Sequence, residues 1–187
     1  MIYFSKVTLS IRYMINILQE NNEQENKILR SDCAFVKQKE FKSVELTELI
    51  KKMKLAANQD EDGVALAAPQ IGVNKRIFVI DEKRGFDDNV KWKQTVFINP
   101  EIVKLSNKQE LKHEGCLSVR GIYGDTWRAT SITVNAFNEN GDKFSFVTSG
   151  VTAHIIQHEV DHLDGVLFID HGINLVDDPD WRTHFKK

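Results

Sequence analysis

The sequence predicts an α+β fold: mainly antiparallel β-sheets packed around a central helix that carries a His-Glu-x-x-His motif. Three observations predict it. Residues 131–137 and 143–148 alternate apolar and polar side chains on either side of Asn138-Glu139-Asn140-Gly141, which is a hairpin signal. Arg76 to Ile80 and Thr95 to Ile98 are short apolar runs of the kind that form buried strands, and Asn99-Pro100 breaks the second. Val151, Ile155, Ile156 and Val160 recur at helical spacing, which places a late helix from Ser149 or Gly150 to about Leu163.

Taken in order, residues 1–19 contain Lys6 and Arg12 and no acidic residue before Glu20. They read either as a weak organelle-targeting peptide or as an upstream extension before a second start at Met14. Residues 20–27 are polar and turn-prone and read as a solvated linker. The expected organisation is therefore an N-terminal extension or linker over 1–27, one main domain over 28–176 and a short tail over 177–187. A first helix starts at Ser43, which can cap it, with Glu45 in the first turn and Leu46, Leu49, Ile50, Met53, Ala56 and Ala57 on one face. Asp60-Glu61-Asp62-Gly63 ends it.

Composition bounds the function. A chain of 187 residues suits one domain, and 41% hydrophobic with 28% charged residues excludes a disordered or fibrous class. With 25 basic and 27 acidic side chains, the net charge of −2 argues against a nucleic-acid substrate. No apolar run approaches the ~20 residues of a membrane helix. The 2 cysteines, Cys33 and Cys116, cannot make a disulfide framework.

The chemistry begins at His158-Glu159-Val160-Asp161-His162. Residues four apart on a helix share a face, so both imidazoles can reach one ion, and Glu159 can act on a water beside it. Two surface histidines in an acidic patch are the bland alternative, disfavoured by the amphipathic helix around them. His154, a turn earlier, suits packing or support better than ligation, because a catalytic ion keeps one open position. A third ligand is needed. The continuation seen in one class of zinc proteases reaches Gly165 but has Phe168 where a His belongs, and no Glu follows Glu159. Asp164, Asp170 and His171 are downstream candidates without a recognised spacing. Upstream, Glu114-Gly115-Cys116-Leu117-Ser118 offers a thiolate; alone, such a cysteine would be a small buried hydrophobe. Gly63 to Gly72 is rich in small residues and carries Gln70, an amide donor and acceptor.

Together these segments resemble the peptide deformylase family, whose motifs are Gly-x-Gly-Leu-Ala-Ala-x-Gln-x-Gly, Glu-Gly-Cys-Leu-Ser and Gln-His-Glu-x-Asp-His. Here they stand at 63–72, 114–118 and 157–162, and the resemblance covers roughly residues 28–170. It implies that Cys116, His158 and His162 bind one divalent ion per chain, Fe²⁺ foremost, with Zn²⁺, Ni²⁺ or Co²⁺ as substitutes. It implies Glu159 as general base and acid, with Gln70 and the Leu117 N–H holding the formyl oxygen. Val64, Ala65, Gly115, Val151 and Ile155 are expected to line the substrate site, and Arg128 to support it. The implied substrate is the formyl-methionyl end of a nascent chain, with no membrane or nucleic-acid substrate. The expected setting is a bacterial cytoplasm, or a mitochondrion or plastid if residues 1–19 are a transit peptide. A transient ribosome contact through the basic segment Trp181 to Lys187 is a further expectation. Ala65 departs from the family, which has Gly there, and would be strained if its φ were positive. Two competing classes are a metallopeptidase and a non-catalytic binding protein that retains the fold.

Overall fold

The computed structural model describes residues 14–59, 63–80 and 94–178. The expectations for residues 1–13, for the helix-ending Asp60 to Asp62 and for Trp181 to Lys187 lie outside the described residues. Helix α1 spans Glu23–Leu29 and helix α2 Val44–Gln59. Strands β1 (Ala65–Ala67), β2 (Ile77–Ile80) and β3 (Thr95–Leu105) follow. Then come β4 (Gln109–Cys116), β5 (Val119–Ala129), β6 (Ser131–Phe137) and β7 (Lys143–Ser149). Helix α3 spans Gly150–Leu163, and β8 spans Ile173–Asp177. One sheet has the order β1-β2-β3-β6-β7 and the other β4-β5-β8, with every described pairing antiparallel.

The hairpin, α2 and α3 form where the patterning places them. Ser43 Oγ accepts from the Leu46 N–H at 3.1 Å, closing the first turn of α2. Leu46, Ile50, Met53, Ala56 and Ala57 are buried in one core cluster, with Leu49 packed against its edge. A second cluster holds Phe78, Phe97 and Val134 against Ala153, Ile155 and Ile156 of α3. Helix α3 thus packs among the strands, and its remaining face is left to the site.

Three expectations change. The linker expected over 20–27 is a capped helix: Asn22 Oδ1 accepts from the N–H groups of Gln24 and Glu25 at 3.0 and 3.2 Å. Its polar residues are those a helix start favours, Glu23 and Glu25 in the first turn, and Leu29 is fully buried. Before it, Ile17 is buried in the α2 core. Second, Asn99-Pro100 bends β3 instead of ending it. Asn99 takes a φ of 50°, the register with β6 shifts between Ile98 and Glu101, and proline's missing N–H falls at the irregularity. The Asn99 side chain holds the Val36 N–H and C=O at 2.8 and 2.9 Å. Third, the expected tail begins inside a strand, since Val176 and Asp177 pair with Tyr123 and Ile122 of β5. Among the described residues, no helix is long and apolar enough to cross a membrane.

Candidate active site

The site forms where the end of β4, the short turn after β1 and the inner face of α3 meet. Cys116 closes β4 at an irregularity in its pairing with β5. His158 and His162 lie one turn apart on α3, with ring centroids 4.9 Å apart. The ligand atoms of Cys116, His158 and His162 all lie within 4.8 Å of one another, and Cys116 Sγ is 3.2 Å from His162 Nε2. This thiolate–imidazole set suits a divalent transition metal. The downstream candidates for a third ligand are engaged elsewhere: Asp170 with Arg30, Asp164 with Arg76, and His171 with Asp161.

A buried carboxylate orients the set. Glu114 Oε2 is 2.8 Å from His158 Nδ1, which leaves Nε2 of that ring for ligation. Arg128 donates to the same carboxylate through Nε and Nη2 at 2.8 and 3.2 Å, and Thr126 Oγ1 also donates to it. His154 Nε2 lies 2.6 Å from Glu114 Oε1, outside the convergent set of Cys116, His158 and His162. Arg128 extends the network to Asp161 at 2.5 Å. Burial alone would raise the Glu114 pKa, but hydrogen bonds from His154, His158 and Arg128 hold it far below the carboxylate range. Glu114 and Thr126 have no role assigned in the sequence reading, although Glu114 stands inside the quoted motif. A charged residue in an alternating strand reads as solvent-facing, and only the β4–β5 pairing reveals that this one points inward.

Glu159 is 4% exposed, and its Oε2 has no hydrogen-bond partner among the described residues. Burial pushes its carboxyl up to about 7, against the pull of His158. A carboxyl poised near neutrality can both accept and return a proton. His162 is buried too, and desolvation followed by the nearby His158 keeps its imidazole well below the usual histidine range. Gln70 is fixed at both ends of its amide: Oε1 accepts from the Ala67 N–H at 2.8 Å, and Nε2 donates to Ser118 Oγ at 3.2 Å. Its Nε2 is also 3.6 Å from Cys116 Sγ, so the donor end faces the ligand set.

These groups open into a cleft of about 500 Å³. Val64, Ala65, Gly115, Leu117, Val151 and Ile155 line it together with Gln70, Cys116, His158 and Glu159. Every residue read as catalytic, metal-binding or substrate-lining is thereby gathered around one cavity except His162, which is buried, as is the supporting Arg128. Ala65 is unstrained: among the described residues, left-handed backbone outside glycine occurs only at Lys42, Asn99 and Asn174. Gly115 is required by close approach, since a Cβ there would lie 2.7 Å from the Tyr123 ring.

Comparison with known proteins agrees with this geometry. The family profile described as polypeptide deformylase matches residues 15–177. A peptide deformylase from Desulforudis audaxviator is 44% identical over 108 residues, which span 58% of this chain and 66% of that protein. Peptide deformylase 1 of Clostridium perfringens is 41% identical over 148 residues, covering 79% of this chain and 92% of that protein. The Met-Ala-Ser-bound crystal structure of a class I type b peptide deformylase from Acinetobacter baumannii superposes with a TM-score of 0.75 at 32% identity. That superposition covers 84% of this chain and 99% of that one. On the fold, the gathered motifs and these relatives, the chain belongs to the peptide deformylase family.

Proposed function

We propose that this chain is a metal-dependent hydrolase that removes the formyl group from the N-terminal formyl-methionine of nascent polypeptides, releasing formate. One observation carries the proposal: the carboxyl oxygen of Glu159, unpartnered among the described residues, shares a cleft with Cys116 and His158, whose donors converge with that of the buried His162. Those three residues would hold the ion, with Fe²⁺ the working metal and Zn²⁺, Ni²⁺ or Co²⁺ as substitutes. When bound, the ion supplies Lewis acidity that polarises a carbonyl and acidifies water.

The chain's own residues do the rest. Glu159 accepts a proton from the attacking water and delivers it to the departing amine. Gln70 Nε2 and the Leu117 N–H donate to the formyl oxygen as negative charge builds on it. Losing one such donor typically costs about 2.7–4 kcal/mol in barrier. Both β1 and β4 are edge strands, and Ala65 and Gly115 bring them to the two sides of the cleft. An extended peptide laid there finds backbone partners on either side. The tripeptide held by the Acinetobacter relative is consistent with this. Val64 and Ala65 border the peptide, while Val151 and Ile155 give the methionine side chain an apolar wall. A reducing bacterial cytoplasm suits a thiolate ligand, and the basic segment 181–187 gives a transient ribosome contact. Unchanged ribosome co-sedimentation after deletion of residues 179–187, which leaves β8 intact, removes that last element.

The test is formate release from formyl-Met-Ala-Ser compared with hydrolysis of the acetylated and unblocked tripeptides. Selective release from the formylated peptide supports the proposal. Cleavage of internal peptide bonds instead makes the chain a metallopeptidase, and no turnover with metal bound makes it a binding protein.

A further inference from the structure

The segment before α1 is tied to both residues proposed as oxyanion donors. The Leu18 N–H donates to Gln70 O and the Glu20 N–H to Ser118 O, each at 2.8 Å. Between these two backbone links, the Gln19 side chain donates through Nε2 to Leu117 O and to Ile17 O, both at 2.9 Å. Gln19 is itself held, because its N–H donates to Glu25 Oε2 at 2.6 Å and Glu25 lies in the first turn of the capped α1. The two backbone links survive any substitution. The side-chain link is the one that residue identity controls.

Accepting the deformylase reading above, we infer that Gln19 is a positioning residue for the oxyanion donors. Its amide fixes the carbonyl of Leu117, hence the peptide plane that follows the Leu117 N–H. The Ser118 N–H lies in that same plane, 3.4 Å from Cys116 Sγ, and the Glu20 link to Ser118 O fixes the next plane. Ser118 in turn receives Gln70 Nε2, so one short strap holds the backbone that directly follows the Leu117 N–H and the residue on which the Gln70 amide rests. Oxyanion donors act only when aimed at the position the charge will occupy, and a misplacement of about 1 Å can cost up to 10²-fold in rate. Substrate binding in the ground state does not depend on that aim. Gln19 therefore acts on kcat and not on KM.

Gln19→Met tests this, because it keeps the length of the side chain and removes its donors; Gln19→Ala serves as the second variant. Both are assayed at matched metal content with formyl-Met-Ala-Ser, alongside hydrogen exchange over residues 114–119. The expected result for Gln19→Met is a kcat lowered about 10-fold, a KM within about two-fold of wild type, and faster exchange over that segment. A kcat within about two-fold of wild type overturns the inference, as does a rise in KM at unchanged kcat or unchanged exchange. If the wild-type protein releases no formate, the deformylase reading falls and this inference with it. An active wild type with an unaffected Gln19→Met variant overturns the inference alone.

Discussion

Glu114 is the residue on which folding and metal binding most directly converge, and its truncation gives the most informative perturbation. Its side chain is 3% exposed, and it accepts from Arg128, His154, His158 and Thr126. Glu114→Ala leaves the buried guanidinium of Arg128 with Asp161 alone and leaves His158 Nδ1 without its acceptor. Removing one partner of a buried ion pair costs about 3–5 kcal/mol, because the other charge stays desolvated. At roughly 2–4 °C per kcal/mol for a chain of this size, Tm falls by about 6–20 °C. Loss of a residue that orients a ligating histidine also weakens metal affinity about 10–100-fold. Glu114→Gln retains one acceptor oxygen and falls between the variant and the wild type. The pH dependence has a definite sign. Because the folded-state pKa is depressed, the contribution of Glu114 is present above the ordinary carboxylate value of 4.5 and is lost as pH falls below it. Glu114→Gln lacks that acid dependence. Urea unfolding of the metal-free and metal-loaded proteins measures each quantity. Stabilities of both variants within about 1 kcal/mol of wild type would refute the argument that this carboxylate neutralises the buried network.

Other consequences follow from single residues. In the metal-free protein, the Glu159 pKa is raised from 4.5 to about 7, so stability falls as pH rises through that window; Glu159→Gln removes the fall, as thermal melts from pH 4 to 8 will register. Cys33 is buried with its thiol pushed up to about 11 by desolvation, whereas Cys116 lines the cleft. Alkylation after chelation should therefore modify Cys116 alone by peptide mapping, and bound metal should protect it. Gly115→Ala drives a methyl into the Tyr123 ring, so KM for the tripeptide rises; the double variant with Tyr123→Ala recovers if the clash is the cause.

Much of this molecule is legible in its sequence where periodicity and chemistry coincide. Helix α3 is announced twice, by Val151, Ile155, Ile156 and Val160 and by the spacing of its histidines. The β6–β7 hairpin is announced by its turn residues and alternation. Strands β4 and β5 are hidden because the first is a polar edge strand and the second is interrupted by Gly121, Gly124 and Asp125. The ligand set and Glu159 come from motifs. The Glu114–Arg128–His154 network and the Gln19 strap depend on residues far apart in the chain, and local pattern carries no trace of such pairings. Helix α1 shows the opposite error: a polar, turn-prone run is also what a capped helix start looks like.

The central claim is that Glu159 acts on a formyl group beside an ion held by Cys116, His158 and His162. Formate release from formyl-Met-Ala-Ser, measured for the wild type and Glu159→Ala at equal metal content, tests it most directly. The expected result is steady turnover by the wild type and loss of most of it in Glu159→Ala, with metal retained by both. Near wild-type formate release from Glu159→Ala would contradict it.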